Sequence, residues 1–140
     1  MENQFTGIWT YRSVLNNPDI SIPFNDLEFG RGNLKIEAAE PGILKGSIYG
    51  PGWELELKGS IQDGAPATLW FQGSGEVNGA PWVYDYICYA TPNIPNGKNQ
   101  VPSLVGSVIR AIPHPNGSGG TNPAGVVASF YAVLQPLPKK

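Results

Sequence analysis

Trp53-Glu54-Leu55-Glu56-Leu57-Lys58-Gly59-Ser60-Ile61 places apolar or small residues at the odd positions and polar ones at the even positions. A period of two sends successive side chains to opposite faces of an extended strand, so this segment has one face in a core and the other in water. Working outward from 53–61, seven further runs have strand character, near residues 5–14, 27–37, 43–49, 67–77, 82–90, 104–112 and 125–134. Clusters of Gly, Pro, Asn and Asp separate them, and no stretch sustains a period of 3.6, so the chain reads as all-β.

The links fix how these runs pair. Glu40-Pro41-Gly42, Gly50-Pro51-Gly52, Asp63-Gly64-Ala65-Pro66 and Asn78-Gly79-Ala80-Pro81 all carry turn chemistry. Short links between successive strands make antiparallel neighbours, and eight of them make an up-and-down meander. Three connections are longer, at 15–26, 91–103 and 113–124. Glycines also fall inside the strands, at Gly30, Gly32, Gly46, Gly59, Gly73, Gly75 and Gly106, where they mark bends or close backbone approach. A closed barrel needs such bends. At 140 residues the chain is expected to be one domain, 1–140, able to bury roughly two thirds of the surface that its unfolded form exposes.

Charge narrows the partners. There are 9 basic and 11 acidic residues and no basic stripe, so nucleic acid is not expected as a partner. Residues 1–8 carry neither the basic nor the apolar region of a secretory signal, and no run approaches the roughly eighteen apolar residues of a membrane span. The expectation is a soluble, cytoplasmic protein with no membrane partner. Cys88 is the only cysteine, which excludes an internal disulfide, and the glycosylation sequon Asn116-Gly117-Ser118 carries no weight without export.

Gly7-Ile8-Trp9 stands at the head of the first strand. A G-x-W there, followed by an eight-strand meander, resembles the calycin barrels, meaning lipocalins, fatty-acid-binding proteins and avidins; the short length and tight turns look most like avidins. The resemblance implies that Trp9 plugs the closed end and that barrels pack together through their last strands. In avidins, polar side chains on strand one with the Trp parity reach the ligand and an aromatic hydroxyl on strand three joins them. Tyr11 and Ser13 match the first set, but Ile48 stands at the third-strand position, so biotin is not the expected ligand. An eight-stranded sandwich with Trp9 simply in its core is the alternative.

If strand one starts at the closed end, the links after strands one, three, five and seven gather at an open mouth. Pleat parity then aims Tyr11, Ser13, Trp53, Trp82, Tyr84 and Arg110 inward, with His114 on the rim. Gly46, Gly59, Gly106, Ala128 and Ala132 share inward parity and are expected to leave room. Aromatic walls with a few convergent polar groups suit a small, partly apolar or aromatic ligand, with Arg110 and His114 for an anionic head group. The bland alternative has Arg110 stacked on Trp53 or Trp82, closing an empty barrel. Three functions follow: a noncatalytic binder; a cofactor-free isomerase or cyclase using Tyr11, Tyr84 and Arg110; or an accessory module with a plugged barrel.

Other chemistry is sparse. With one histidine a His-rich metal site is impossible, and a Ser-His-Asp triad has only His114 to build on, so neither is expected. No phosphate-cradling glycine motif opens a helix, so no cofactor is expected either. Asp85 faces outward on parity and is expected to be a hydrogen-bonded or interface residue; Cys88 faces inward as a buried, inert thiol. Outward positions on 104–112 and 125–134 are apolar: Val105, Ile109 and Ala111, then Val127, Tyr131 and Val133. A water-facing strand should not read this way, so a homo-oligomer through these two strands is expected, most simply a two-fold dimer.

Overall fold

A computed structural model describes residues 4–136. The first three residues of the N-terminal stretch read above for a signal lie outside the described residues. The chain is all-β, and its strands are β1 (Gly7–Leu15), β2 (Glu28–Ile36), β3 (Ile43–Gly50), β4 (Trp53–Gln62), β5 (Thr68–Val77), β6 (Ala80–Ala90), β7 (Ser103–Arg110), β8 (His114–Pro115), β9 (Thr121–Asn122) and β10 (Val127–Leu134). A four-residue 3₁₀ turn, Phe24–Leu27, precedes β2. Eight strands close into an antiparallel barrel in the order β1-β10-β7-β6-β5-β4-β3-β2. The seam is the pairing of β1 with β10, running from Trp9 opposite Leu134 to Leu15 opposite Ala128. This is an up-and-down barrel and not the alternative sandwich.

The expected strands match within a few residues at their ends. The largest differences are two residues, at the starts of β1 (Gly7), β6 (Ala80) and β10 (Val127) and at the end of β7 (Arg110). The connection read as a plain loop over 113–124 carries the separate β8-β9 hairpin, His114 opposite Asn122. Two-residue strands are too short to show a period, so sequence patterning cannot find them.

Links after β1, β3, β5 and β7 share one end, the mouth, and the other end is filled. Trp9, Leu34, Ile36, Leu44, Leu69 and Leu104 are each at most 1% exposed there, and the Trp9 indole Nε1 donates to the Phe5 carbonyl at 2.9 Å. Above them four rings pack in the middle: Phe71 stacks on Tyr86 at 4.8 Å, and Tyr11 lies 5.3 Å from Phe130 and edge-on to Tyr86 at 6.1 Å. Offset and edge-on geometries suit the ring quadrupoles.

The inward glycines do not leave the expected room. A Cβ on Gly106 would overlap the Ile87 carbonyl and the Cys88 backbone, so this glycine exists to let β7 approach β6 closely as the wall curves. The space at mid-barrel goes to the four rings. Vacant volume collects at the mouth.

Candidate functional site at the barrel mouth

A cavity of about 200 Å³ opens at the mouth, walled by Phe29, Trp53, Leu55, Trp82, Tyr84 and Tyr86 with Tyr11 and Ser13. Five of the seven expected ligand residues therefore line one cavity: Tyr11 and Ser13 from β1, Trp53 from β4, Trp82 and Tyr84 from β6. Each arrives by pleat alternation. Trp53 has an additional cause. β2 pairs with β3 only from Asn33 to Ile36, so the two strands splay toward the mouth. The Trp53 indole lies against Gly50 at the end of β3, where any Cβ would collide with the ring.

Phe29 is a wall residue that parity assigns to the outside. The β1-β2 register shifts between Ser13, opposite Gly30, and Val14, opposite Glu28, leaving Phe29 as the extra residue of a bulge. A bulge re-aims its side chain, and this one turns the Phe29 ring over the mouth, edge-on to Tyr84 at 6.1 Å. The signal in the sequence was the neighbouring glycines, Gly30 and Gly32, which break the strand's regularity.

Arg110 and His114 do not line the cavity; they hold Tyr84 at its edge. Arg110 Nε donates to the Tyr84 hydroxyl at 3.0 Å and Nη1 donates to the Pro123 carbonyl at 3.1 Å. The guanidinium sits 4.9 Å above the Phe29 ring and 5.7 Å from the Tyr84 ring, not on Trp53 or Trp82. His114, expected on the rim, is only 4% exposed. The β8-β9 hairpin folds it inward so that its ring stacks on Trp82, centroids 4.1 Å apart and planes 14° from parallel.

Hydrogen-bond accounting then sets the direction of the chain. His114 Nδ1 lies 2.9 Å from the Pro115 carbonyl, which can only accept, so Nδ1 carries the hydrogen. In the neutral ring Nε2 is left as an acceptor, 2.7 Å from the Tyr84 hydroxyl. Tyr84 thus donates to His114 and accepts from Arg110. The run Arg110 to Tyr84 to His114 to Pro115 is a directed and buried chain.

Two features of its electrostatics matter. Arg110 is 8% exposed, yet the ion pairs among the described residues join Glu28 to Arg12 and Arg31, and Lys58 to Glu56; none reaches Arg110. A buried cation without a carboxylate is costly, and among the described residues only two of the five N–H donors of this guanidinium are bonded. Among the described residues no fully buried side-chain nitrogen or oxygen lacks a partner, so Arg110 Nη2, which has none, is not fully buried. Burial pushes the Tyr11 hydroxyl far above its ordinary range, against a hydrogen bond from Ser13 that lowers it. Burial does the same to Tyr86, reinforced by Tyr11 and Tyr84. Both stay neutral and keep their O–H groups.

Elsewhere, Asp85 accepts from Gln72 Nε2 at 2.8 Å on the outer wall, and burial pushes the inward Cys88 thiol up to about 12. Among the described residues no cluster of three or more His, Cys, Asp or Glu side chains is placed to hold a metal, and no helix is long and apolar enough to cross a membrane. Comparison with protein families, with curated proteins and with solved structures finds no match to this chain.

Proposed function

We propose that this barrel is a calycin-like, noncatalytic binder of a small ring-bearing ligand held at the mouth. The observation that carries the reading is the 200 Å³ cavity walled by aromatic rings above a filled base. An apolar protein cavity of about 150 Å³ accepts benzene, so this one suits a single ring with a small substituent. Arg110, bonded to the Tyr84 hydroxyl at the cavity's edge, supplies the positive charge that complements a ligand carboxylate there. The closed eight-strand meander with Trp9 at its filled end supports the calycin likeness, and the sole, buried cysteine fits a cytoplasmic, reducing setting.

Benzoate and its neutral isostere benzamide test this by amide and indole NMR. Shifts centred on Trp53, Trp82 and Tyr84, stronger for benzoate and weakened in Arg110→Met, are expected. An absence of shifts with both probes at millimolar concentration overturns the reading.

The directed chain favours a second reading, a cofactor-free isomerase or cyclase in which Tyr84 relays a proton between substrate and His114 while Tyr11 and Arg110 assist. A keto–enol exchange assay separates the two: loss of exchange in Tyr84→Phe with benzoate still bound supports catalysis. An accessory role needs a plugged interior, and the mouth cavity weighs against it.

A further inference from the structure

The mouth cavity is small for a whole ligand. Ligand sites usually offer about 300–1,000 Å³, whereas the mouth has about 200 Å³, room for little beyond one ring. A second cleft, of about 340 Å³, lies beside it among the β3-β4 turn, the β5-β6 turn and the β8-β9 hairpin. Trp53 and Trp82 wall both spaces, so the cavity and the cleft adjoin at these two rings.

The hairpin wall of the cleft is held in place. The barrel closes without β8 and β9, which pair only with each other. What fixes them is the buried His114, bonded to the Tyr84 hydroxyl and stacked on Trp82. At the hairpin's tip Asn116 Oδ1 accepts from the Ser118 and Gly120 N–H groups at 2.8 and 3.1 Å. A wall ordered in advance lowers the cost of binding against it.

The chemistry of the cleft is polar and uncharged. No Lys, Arg, Asp or Glu lines it, and both ring nitrogens of His114 are already engaged. Asn78, Asn116 and Asn122 line it, and among the described residues no hydrogen bond engages the side-chain amide of Asn78 or Asn122. Each amide offers two N–H donors and a carbonyl acceptor. A charged group would lose its water there without gaining a counter-charge, and an alkyl chain would cover the amides without satisfying them. A saccharide avoids both costs. Each hydroxyl donates and accepts, and the C–H face of a pyranose packs on an indole, whose face is negative.

We infer that the mouth and the cleft form one two-compartment site for a glycoside of an aromatic acid, with the aromatic ring in the mouth and the sugar among the asparagines. This rests on the mouth being an aromatic-ring site and names the class of ligand it takes.

Calorimetric titration of the full chain with the 3- and 4-carboxyphenyl glucosides, in both anomeric forms, tests it against benzoate and the matching butoxybenzoates. With neutral hydrogen bonds worth about 0.5–1.5 kcal/mol each, at least one glucoside is expected to bind about tenfold more tightly than benzoate and than its butoxy counterpart. The side-chain amide signals of Asn78 and Asn122 should shift with that glucoside and not with benzoate. Asn78→Gly, which keeps the positive φ of 53°, combined with Asn122→Ala, is expected to abolish the gain. Asn96→Gly, in the 91–103 loop at the closed end, should leave it intact. Near-ultraviolet circular dichroism checks that each variant is folded. Benzoate binding without a glucoside gain, an equal gain for a butoxybenzoate, or a gain that survives the double substitution overturns the two-compartment site and leaves the mouth as a ring site. Failure of every probe to bind overturns both.

Discussion

At the residue scale the Tyr84 hydroxyl is the junction on which the mouth depends. It satisfies the Arg110 Nε donor and the His114 Nε2 acceptor at once, and both partners are more than nine-tenths buried. Tyr84→Phe keeps the ring and removes the junction. Leaving a buried polar group unsatisfied costs about 1–3 kcal/mol, so two of them predict a loss of about 2–6 kcal/mol of stability. The urea midpoint should fall with an unchanged m-value; a loss below about 1 kcal/mol means that the chain of bonds does not bear on the fold. Tyr11, Ser13, Trp53 and Trp82 were legible in the sequence because period-two parity alone decides which face they take. Phe29 was not legible, because one bulged residue reverses the parity. The anchoring of His114 was not legible either, because its two-residue strand leaves no pattern.

At the scale of the strand, alternation and turn residues made the elements readable, and what they could not convey was the use of the inward glycines. Parity says only that Gly106 faces inward, which reads as space. The structure makes it a place where β6 and β7 come so close that one methyl group overlaps backbone atoms of Ile87 and Cys88. Backbone cannot rotate away as a long side chain can. Gly106→Ala is therefore expected to cost about 3 kcal/mol or more, beyond the usual 1–3 kcal/mol of overpacking. Gly52→Ala tests a different mechanism. No atom lies near its virtual Cβ, and the expected penalty comes only from its positive φ of 80°. Thermal melts of the two variants compare them. A smaller loss for Gly106→Ala than for Gly52→Ala removes the close-approach account.

At the scale of the whole molecule, the same alternating runs are compatible with a sandwich, and what closes the ring is the pairing of the first strand with the last, a contact between segments more than a hundred residues apart that local pattern cannot specify. Closure creates two ends with separate tasks. The filled end carries stability: Trp9 is 1% exposed and hydrogen-bonded, so Trp9→Ala should cost about 3–5 kcal/mol through lost burial and a residual cavity. The mouth carries recognition: Trp53 is half-buried beside vacant volume, and its truncation should cost only about 1–2 kcal/mol of transfer free energy. Binding is expected to divide the opposite way. Trp9→Ala, cooled to where it is folded, keeps its benzoate-induced shifts at Trp82 and Tyr84, whereas Trp53→Ala loses them while its melting temperature falls less than that of Trp9→Ala. Ligand that binds only the folded state must also raise stability, by about 2.7 kcal/mol at a hundred times its dissociation constant, so benzoate should lift the melting temperature of Trp9→Ala and not of Trp53→Ala. Equal thermal shifts in the two variants would place the ligand somewhere other than the mouth.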